Sequence, residues 1–249
     1  MKRILKALFL LALSLGVFLL FLRSDFFKVR KIECRVEKEA CQAEIWNELN
    51  YLAFGKNLIF LKRKIGEEIL ARYPIIKDLK IKKRLPNKLI FEFKKRSGVA
   101  VLGFELDLGE GKSSVLGKPV FETAKDFYIV DEEGVVVEKE NNPLLPLILL
   151  SEQFNLNIGQ KVPKEEVIKA IDLLTVLRLN LFEPKVAKII SPYSLNVWLK
   201  EGVEVVLSFK KEAQIQLDSL QFILSRSKIE GKRIKKIDLR FDKPVVNYE

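Results

Sequence analysis

The stretch RYPIIKDLKIKKRLPNKLIFEFKK, Arg72 to Lys95, decides the fold of the first half. Pro74 ends a helical pattern, because the residue before a proline avoids the helical region. Beyond it Leu79 and Ile81 alternate with Lys80 and Lys82. After Leu85-Pro86-Asn87, Leu89, Phe91 and Phe93 alternate with Lys88, Ile90 and Glu92. A period of two predicts a pair of strands with one apolar and one charged face. The charged side is read as a solvated sheet face. Beside a membrane, Lys80, Lys82 and Arg84 are also a candidate patch for anionic headgroups. Nucleic-acid binding is excluded outside a membrane, and Phe91 and Phe93 fall on the core side, where they offer no stacking platform.

Upstream, Phe27–Val36 alternates as a strand. Ile45, Trp46, Leu49, Leu52 and Ala53 mark one helix, and Ile65, Ile69 and Leu70 a second, with a turn at Phe54–Asn57 between them. The predicted order is strand, helix, helix, strand, strand. At the head of the chain, MKRILKALFLLALSLGVFLLFLR carries no charge from Ala7 to Leu22. Ile4 to Leu22 would make a helix of roughly 28 Å at ~1.5 Å per residue, close to a hydrocarbon core of ~30 Å. A retained anchor over 7–22 is expected, behind a cytoplasmic tail of 1–6 that holds Lys2, Arg3 and Lys6. A cleavable signal peptide competes with this reading, but its apolar run is usually ~7–15 residues and ends in a small-x-small site. This run is longer and ends Leu-Phe-Leu-Arg.

The charge is local. The 249 residues carry 44 Lys/Arg and 33 Asp/Glu, and no histidine. Between Lys77 and Arg96 there are nine basic and two acidic residues. Four of the Lys/Arg precede Ser24, so the rest of the chain outside that patch balances to zero. Cys34 and Cys41 flank a short loop and are a candidate disulfide in an oxidising compartment. Without histidine they make a poor metal site.

From Ser97 onward, the glycine-rich Gly103–Pro119 is read as a loop or irregular hairpin and FYIVDEEGVVVEK as a strand–turn–strand. NNPLLPLILL is read as an irregular buried segment, because two prolines forbid a regular helix. Pro163 opens a helix to about Leu181, with Val167, Ile171, Leu174 and Leu177 on one side. Leu195, Val197 and Leu199, a turn at Lys200–Gly202, and Val203, Val205, Leu207 and Phe209 form a hairpin. Ala213, Leu217, Leu220 and Leu224 stripe another helix, and RIKKIDLRFDKPVVNYE is read as one late strand.

Enzyme chemistry finds little support. GEGKSS (Gly109–Ser114) lacks the first glycine of a phosphate-binding loop, since Leu106 stands there. DEEG (Asp131–Gly134) lacks the alternate ligands of a calcium loop. A serine–lysine dyad of the signal-peptidase kind needs no histidine, but those enzymes carry Ser-Met at the nucleophile, and this chain has a single Met. No catalytic, cofactor-binding or metal residue is assigned.

Phe27–Val101 resembles a POTRA domain, most specifically in Tyr73–Leu102: a proline, a basic strand, Arg84-Leu85-Pro86, an alternating strand, and Lys95-Arg96-Ser97-Gly98-Val99-Ala100 in the place of the family's Glu-Arg-x-Pro-Val-Ala. Gly55–Leu61 resembles the connection between its helices. FYIVDEEGVVVE, Leu144–Ile148, Lys200–Leu224 and KKIDLRFDKPVV resemble, in order, the elements of the FtsQ/DivIB family of bacterial cell-division proteins. Lys95, Gly98 and Ser208 depart from that pattern. The resemblance implies an α+β protein with a transmembrane helix, a POTRA domain (β-α-α-β-β) over 26–96, and a mixed C-terminal β domain with flanking helices over 97–249.

The function it implies is a non-enzymatic divisome scaffold in the cell membrane at the septum, with most of the chain outside the cytoplasm. It would hold FtsB/FtsL-like single-span proteins and reach other divisome proteins through the POTRA domain. A POTRA-bearing adaptor for transport or envelope assembly is the alternative, and a membrane-anchored Ser/Lys hydrolase a third. Partner binding by strand addition is expected in the last strand, Ile237 to Val246, at Leu239, Arg240, Phe241, Val245 and Val246.

Overall fold

The structure is a computed structural model that describes residues 2–61, 64–104, 127–140, 142, 144–152 and 154–249. The chain divides into two compact units, Met1–Arg96 and Ser97–Glu249.

In the first unit, helix α1 (Lys2–Arg23) leads through a 3-10 turn (Asp25–Phe27) into β1 (Lys31–Val36) and the short β2 (Glu39–Ala40). Helices α2 (Ala43–Ala53) and α3 (Lys64–Arg72) follow, then β3 (Ile76–Arg84) and β4 (Lys88–Lys95). The sheet order is β2-β1-β4-β3, with β1 parallel and β3 antiparallel to β4. Leu89, Phe91 and Phe93 are buried, with Ile45 and Leu49 of α2 and Ile65 and Ile69 of α3, in one core. Each fully buried side chain of this size contributes about 2 kcal/mol of transfer free energy. Gly66 lets α3 approach the sheet: a Cβ there would stand 3.2 Å from Leu79 Cδ2 and 3.3 Å from Ile81 Cδ1.

On the other face of the sheet, Lys80, Lys82 and Arg84 are exposed and lie opposite Glu92, Ile90 and Lys88. Lys82 is paired with Glu92 at 2.6 Å. Ile90 is nonetheless buried, with Lys82 and Glu33 as its cross-strand neighbours. Cys34 and Cys41 are joined as a disulfide with Cα atoms 5.5 Å apart, tying β1 to the approach to α2. Among the described residues no helix is long and apolar enough to cross a membrane. The unbroken run of described side chains in α1 covers only 8–23.

Among the described residues the second unit is one nine-stranded sheet in the order β13-β12-β11-β10-β9-β8-β5-β6-β7. Its strands are β5 (Ala100–Phe104), β6 (Tyr128–Val130), β7 (Val136–Glu138), β8 (Leu147–Leu150), β9 (Pro184–Ser191), β10 (Ser194–Leu199), β11 (Glu204–Ser208), β12 (Ile234–Asp238) and β13 (Val245–Tyr248). Helices α4 (Glu165–Leu179) and α5 (Ala213–Glu230) bury Val167, Ile171, Leu174, Leu177, Leu217 and Leu220 against Leu195, Val197, Val205 and Ile237.

Two readings of the sequence change here, and one strand is added. NNPLLPLILL contains a regular strand: both prolines precede β8, which then runs parallel between β5 and β9. Pro184–Ser191 is a strand that its own alternation did not announce. The late strand is two strands, β12 and β13, that fold back on each other. The Asp131–Gly134 stretch is a turn, with Asp131 Oδ1 accepting from Glu133 N at 3.0 Å and Val135 N at 2.8 Å. GEGKSS and most of the expected 103–119 loop lie outside the described residues.

Candidate functional site

The far edge of the second sheet carries most of the residues expected to bind a partner. The chain leaves β11 at Ser208 and enters α5 through a turn held by Gln216. Gln216 Oε1 accepts from Ser208 N at 2.8 Å, and its Nε2 donates to Ser208 O at 2.9 Å and Lys211 O at 3.2 Å. Gly231 then ends α5 in the left-handed region at φ 66°, as a helix C-terminus followed by a strand requires. β12 returns parallel to β11, and Leu239 N still donates to Val206 O at 2.9 Å.

At Asp238 the chain reverses. Its carboxylate accepts from Arg240 N at 3.1 Å and from the guanidinium at 3.0 Å (Nε to Oδ1) and 2.6 Å (Nη2 to Oδ2). This local fork satisfies the backbone inside the turn rather than in a ladder. Burial pushes the Asp238 carboxyl up, but the hydrogen bonds and charge of Arg240 outweigh it and hold the group below its ordinary value. Pro244 has no N–H to give a ladder, and pairing resumes only at Val245, opposite Asp238.

β13 is therefore the edge. The site residues expected from sequence divide accordingly. Leu239 is 2% exposed: its side chain belongs to the core and meets the surface only as part of the groove wall described below. Val246 is half-buried against the same core. Phe241 and Val245 stand 55% and 52% exposed, and the Arg240 cation lies 5.6 Å from the Phe241 ring centre. Next to them is an open groove of about 330 Å³ between α5 and the turn, with Ile215, Ser219, Leu239, Phe241 and Pro244 in its lining. Lys211 and Asp242 form an ion pair of 3.2 Å at its rim.

Ile215 and Phe222, both exposed on α5, were not read as surface residues. The available signal was their seven-residue spacing, offset from the buried Leu217 and Leu220. At the other end of α5, Lys232 and Arg226 hold the Glu230 carboxyl at about 2.

The arrangement offers apolar contact and backbone hydrogen bonding. Among the described residues no group of three or more His, Cys, Asp or Glu could hold a metal ion. Asp172 on α4 is pushed up by burial and then by the charge of Glu132, with no nucleophile assigned beside it.

Residues 120–240 match the family model described as cell division protein FtsQ/DivIB, C-terminal. The chain is 29% identical over 133 residues to cell division protein DivIB of Clostridium tetani (strain Massachusetts / E88), covering 53% of this chain and 42% of that protein. It is 26% identical over 186 residues to cell division protein DivIB of Clostridium botulinum (strain Hall), covering 72% of this chain and 64% of that protein. The Loch Maree strain's protein is 27% identical over the same length. The chain thus spans 42% to 64% of the length of these curated relatives. Across α4, the β10–β11 hairpin, α5 and β12, the chain is similar to the FtsQ/DivIB family of cell-division proteins, both by the family model and by relatives that bear the family's name.

Proposed function

We propose that this chain is a non-enzymatic scaffold of the division machinery. In this reading it holds small single-span proteins of the FtsB/FtsL kind outside the cytoplasmic membrane, at the septum, and links early to late division proteins. The observation that carries the reading is β13, a strand at the sheet edge with exposed Phe241, Val245 and Tyr248 on and before it. An edge strand leaves a row of N–H and C=O groups unpaired. An extended partner segment can complete that row while its side chains meet the groove at Ile215 and Phe241.

The anchor belongs to the same proposal. α1 has 22 residues, about 33 Å at ~1.5 Å per residue, against a hydrocarbon core of ~30 Å. Leu8–Leu11 and Val17–Phe21 are all exposed, and runs of consecutive residues face every side of a helix. Lys2, Arg3 and Lys6 favour a cytoplasmic N-terminus. The first unit acts here as a POTRA module through which other division proteins are reached.

The test is Phe241→Glu in the full chain, with affinity for the FtsB-like partner measured against wild type. Loss of one exposed anchor at the centre of an interface should weaken binding at least about ten-fold. Unchanged affinity with an unchanged unfolding midpoint defeats the placement. A fluorescent fusion that forms no band at mid-cell defeats the wider reading.

A further inference from the structure

We propose that the end of the first unit from which α1 emerges is a lipid-contacting face, on which the domain rests against anionic headgroups. The proposal rests on reading α1 as a membrane anchor. Its basis is a set of hydrogen bonds that gathers separate segments at the helix end. Asn57 Nδ2 donates to Leu22 O at 2.8 Å, and Asn57 Oδ1 accepts from Ile59 N at 3.0 Å. Leu58 N donates to Phe27 O at 2.8 Å, and Val29 N to Lys56 O at 2.9 Å. Arg30 N donates to Asn87 O at 2.9 Å, in the turn between β3 and β4. Lys83 Nζ reaches the carbonyls of Ile59 and Leu61 at 3.3 and 3.0 Å. The helix exit, the α2–α3 connection and the β3–β4 turn therefore share one end of the domain.

That end mixes large apolar side chains with cations. Phe26, Phe54, Phe60 and Leu85 are 51–66% exposed. Lys28, Arg30, Lys56, Lys83 and Arg84 are exposed among them. Lys28 is neutralised by Asp25 at 2.8 Å, and Lys88 by Glu33 at 2.7 Å. Among the described residues Lys56, Lys83 and Arg84 form no ion pair, and Arg30 meets only the more distant charge of Asp25, which Lys28 already pairs. Four large apolar groups left in water are costly unless something covers them. Rings and leucines between unpaired cations suit the boundary between acyl chains and anionic headgroups. The Asn57 bond and the pairing of 27–29 with 55–58 leave little slack, so a bilayer around α1 meets these groups at once. Of the three basic residues singled out on β3, Arg84 alone belongs to this end; Lys80 and Lys82 lie further along the strand.

The test uses the full chain in phosphatidylcholine vesicles with and without phosphatidylglycerol. Trp46 and Trp198 are replaced by Phe, and one tryptophan is introduced at a time as Phe60→Trp, Phe18→Trp or Lys95→Trp. Lys95 and Phe60 are exposed, and Lys95 pairs at the opposite end of β4 from Arg84. Quenching by lipids brominated at shallow or deep positions is the readout. Phe60→Trp should be quenched by shallow bromines, more so with phosphatidylglycerol. Phe18→Trp should be quenched by deep ones, and Lys95→Trp by neither. Adding Arg30→Gln, Lys56→Gln and Arg84→Gln should shift the resting equilibrium about 100-fold off the surface, at about five-fold per cation. Quenching at Phe18→Trp without quenching at Phe60→Trp overturns the resting face and leaves the anchor standing. No quenching at Phe18→Trp overturns the anchor and this face together. Phe60→Trp quenching that ignores both phosphatidylglycerol and the triple change overturns the headgroup preference.

Discussion

Gln216→Leu should destabilise the second unit by about 3 kcal/mol. The glutamine is 2% exposed and occupies the N–H and the C=O of Ser208, at 2.8 and 2.9 Å. Ser208 is itself buried, so leucine strands one donor and one acceptor away from water. Each such orphan costs about 1–3 kcal/mol. The third bond, to Lys211 O, counts for little because that residue is partly exposed and water can replace it. Added apolar burial returns about 1 kcal/mol, which leaves about 3 kcal/mol net. The chain has one tryptophan in each unit, Trp46 on α2 and Trp198 on β10. In a Trp46→Phe background, urea unfolding followed by Trp198 fluorescence reads the second unit alone. With a slope of about 2 kcal/mol per molar, the midpoint should fall by about 1.5 M. Trp46, read in a Trp198→Phe background, should report an unchanged transition. A fall of less than about 0.3 M at an unchanged slope would refute the reasoning, because it would mean that the amide does not hold the turn into α5.

Two further outcomes follow from other parts of the molecule. Glu230 is held at about 2 by Lys232 and Arg226, below its ordinary 4.5, so its contribution is present above that value and is lost as pH falls toward 2. Carboxyl-carbon NMR should place its midpoint near 2, and a midpoint in the usual carboxylate range rejects the pairing. Replacing Cys34 and Cys41 by Ser opens a loop with a sequence separation of 7. By chain-entropy arguments this loop is worth about 2 kcal/mol; the loss should appear in the Trp46 transition and leave the Trp198 transition in place. Equal midpoints with and without the bond contradict this.

The elements legible in the sequence are those whose pattern repeats within one segment. Leu89, Phe91 and Phe93 mark β4 because each has the same environment two residues on. Val167, Ile171, Leu174 and Leu177 mark α4 at helical spacing, and all four are buried. β8 and β9 escaped because they lie in the middle of a sheet. Buried on both faces, Ile148, Leu149 and Leu150 give a continuous apolar run instead of alternation, and the prolines before them read as disorder of the pattern. In β9, Val186 and Ile189 are only partly buried while Ala187 is wholly so, which again breaks the period of two.

The edge strand was hidden for a different reason. Asp238, Leu239, Arg240 and Phe241 alternate polar and apolar as a strand should, and only Pro244 hints at a stop. The break comes from the Asp238–Arg240 fork, which spends the charged pair on closing a turn instead of solvating a face. Such local capture of the backbone competes with ladder formation. Once the chain reverses there, β12 is shielded between β11 and β13. The exposed edge passes to four residues, Val245–Tyr248, whose own pattern is too short to predict anything. A docking edge is defined by the neighbour it lacks, and that neighbour is a property of the whole sheet. The same reasoning applies to the basic end of the first unit. Arg30, Lys56 and Arg84 are scattered in sequence, and only the hydrogen bonds to Leu22, Val29 and Asn87 bring them to the end where α1 begins its exit.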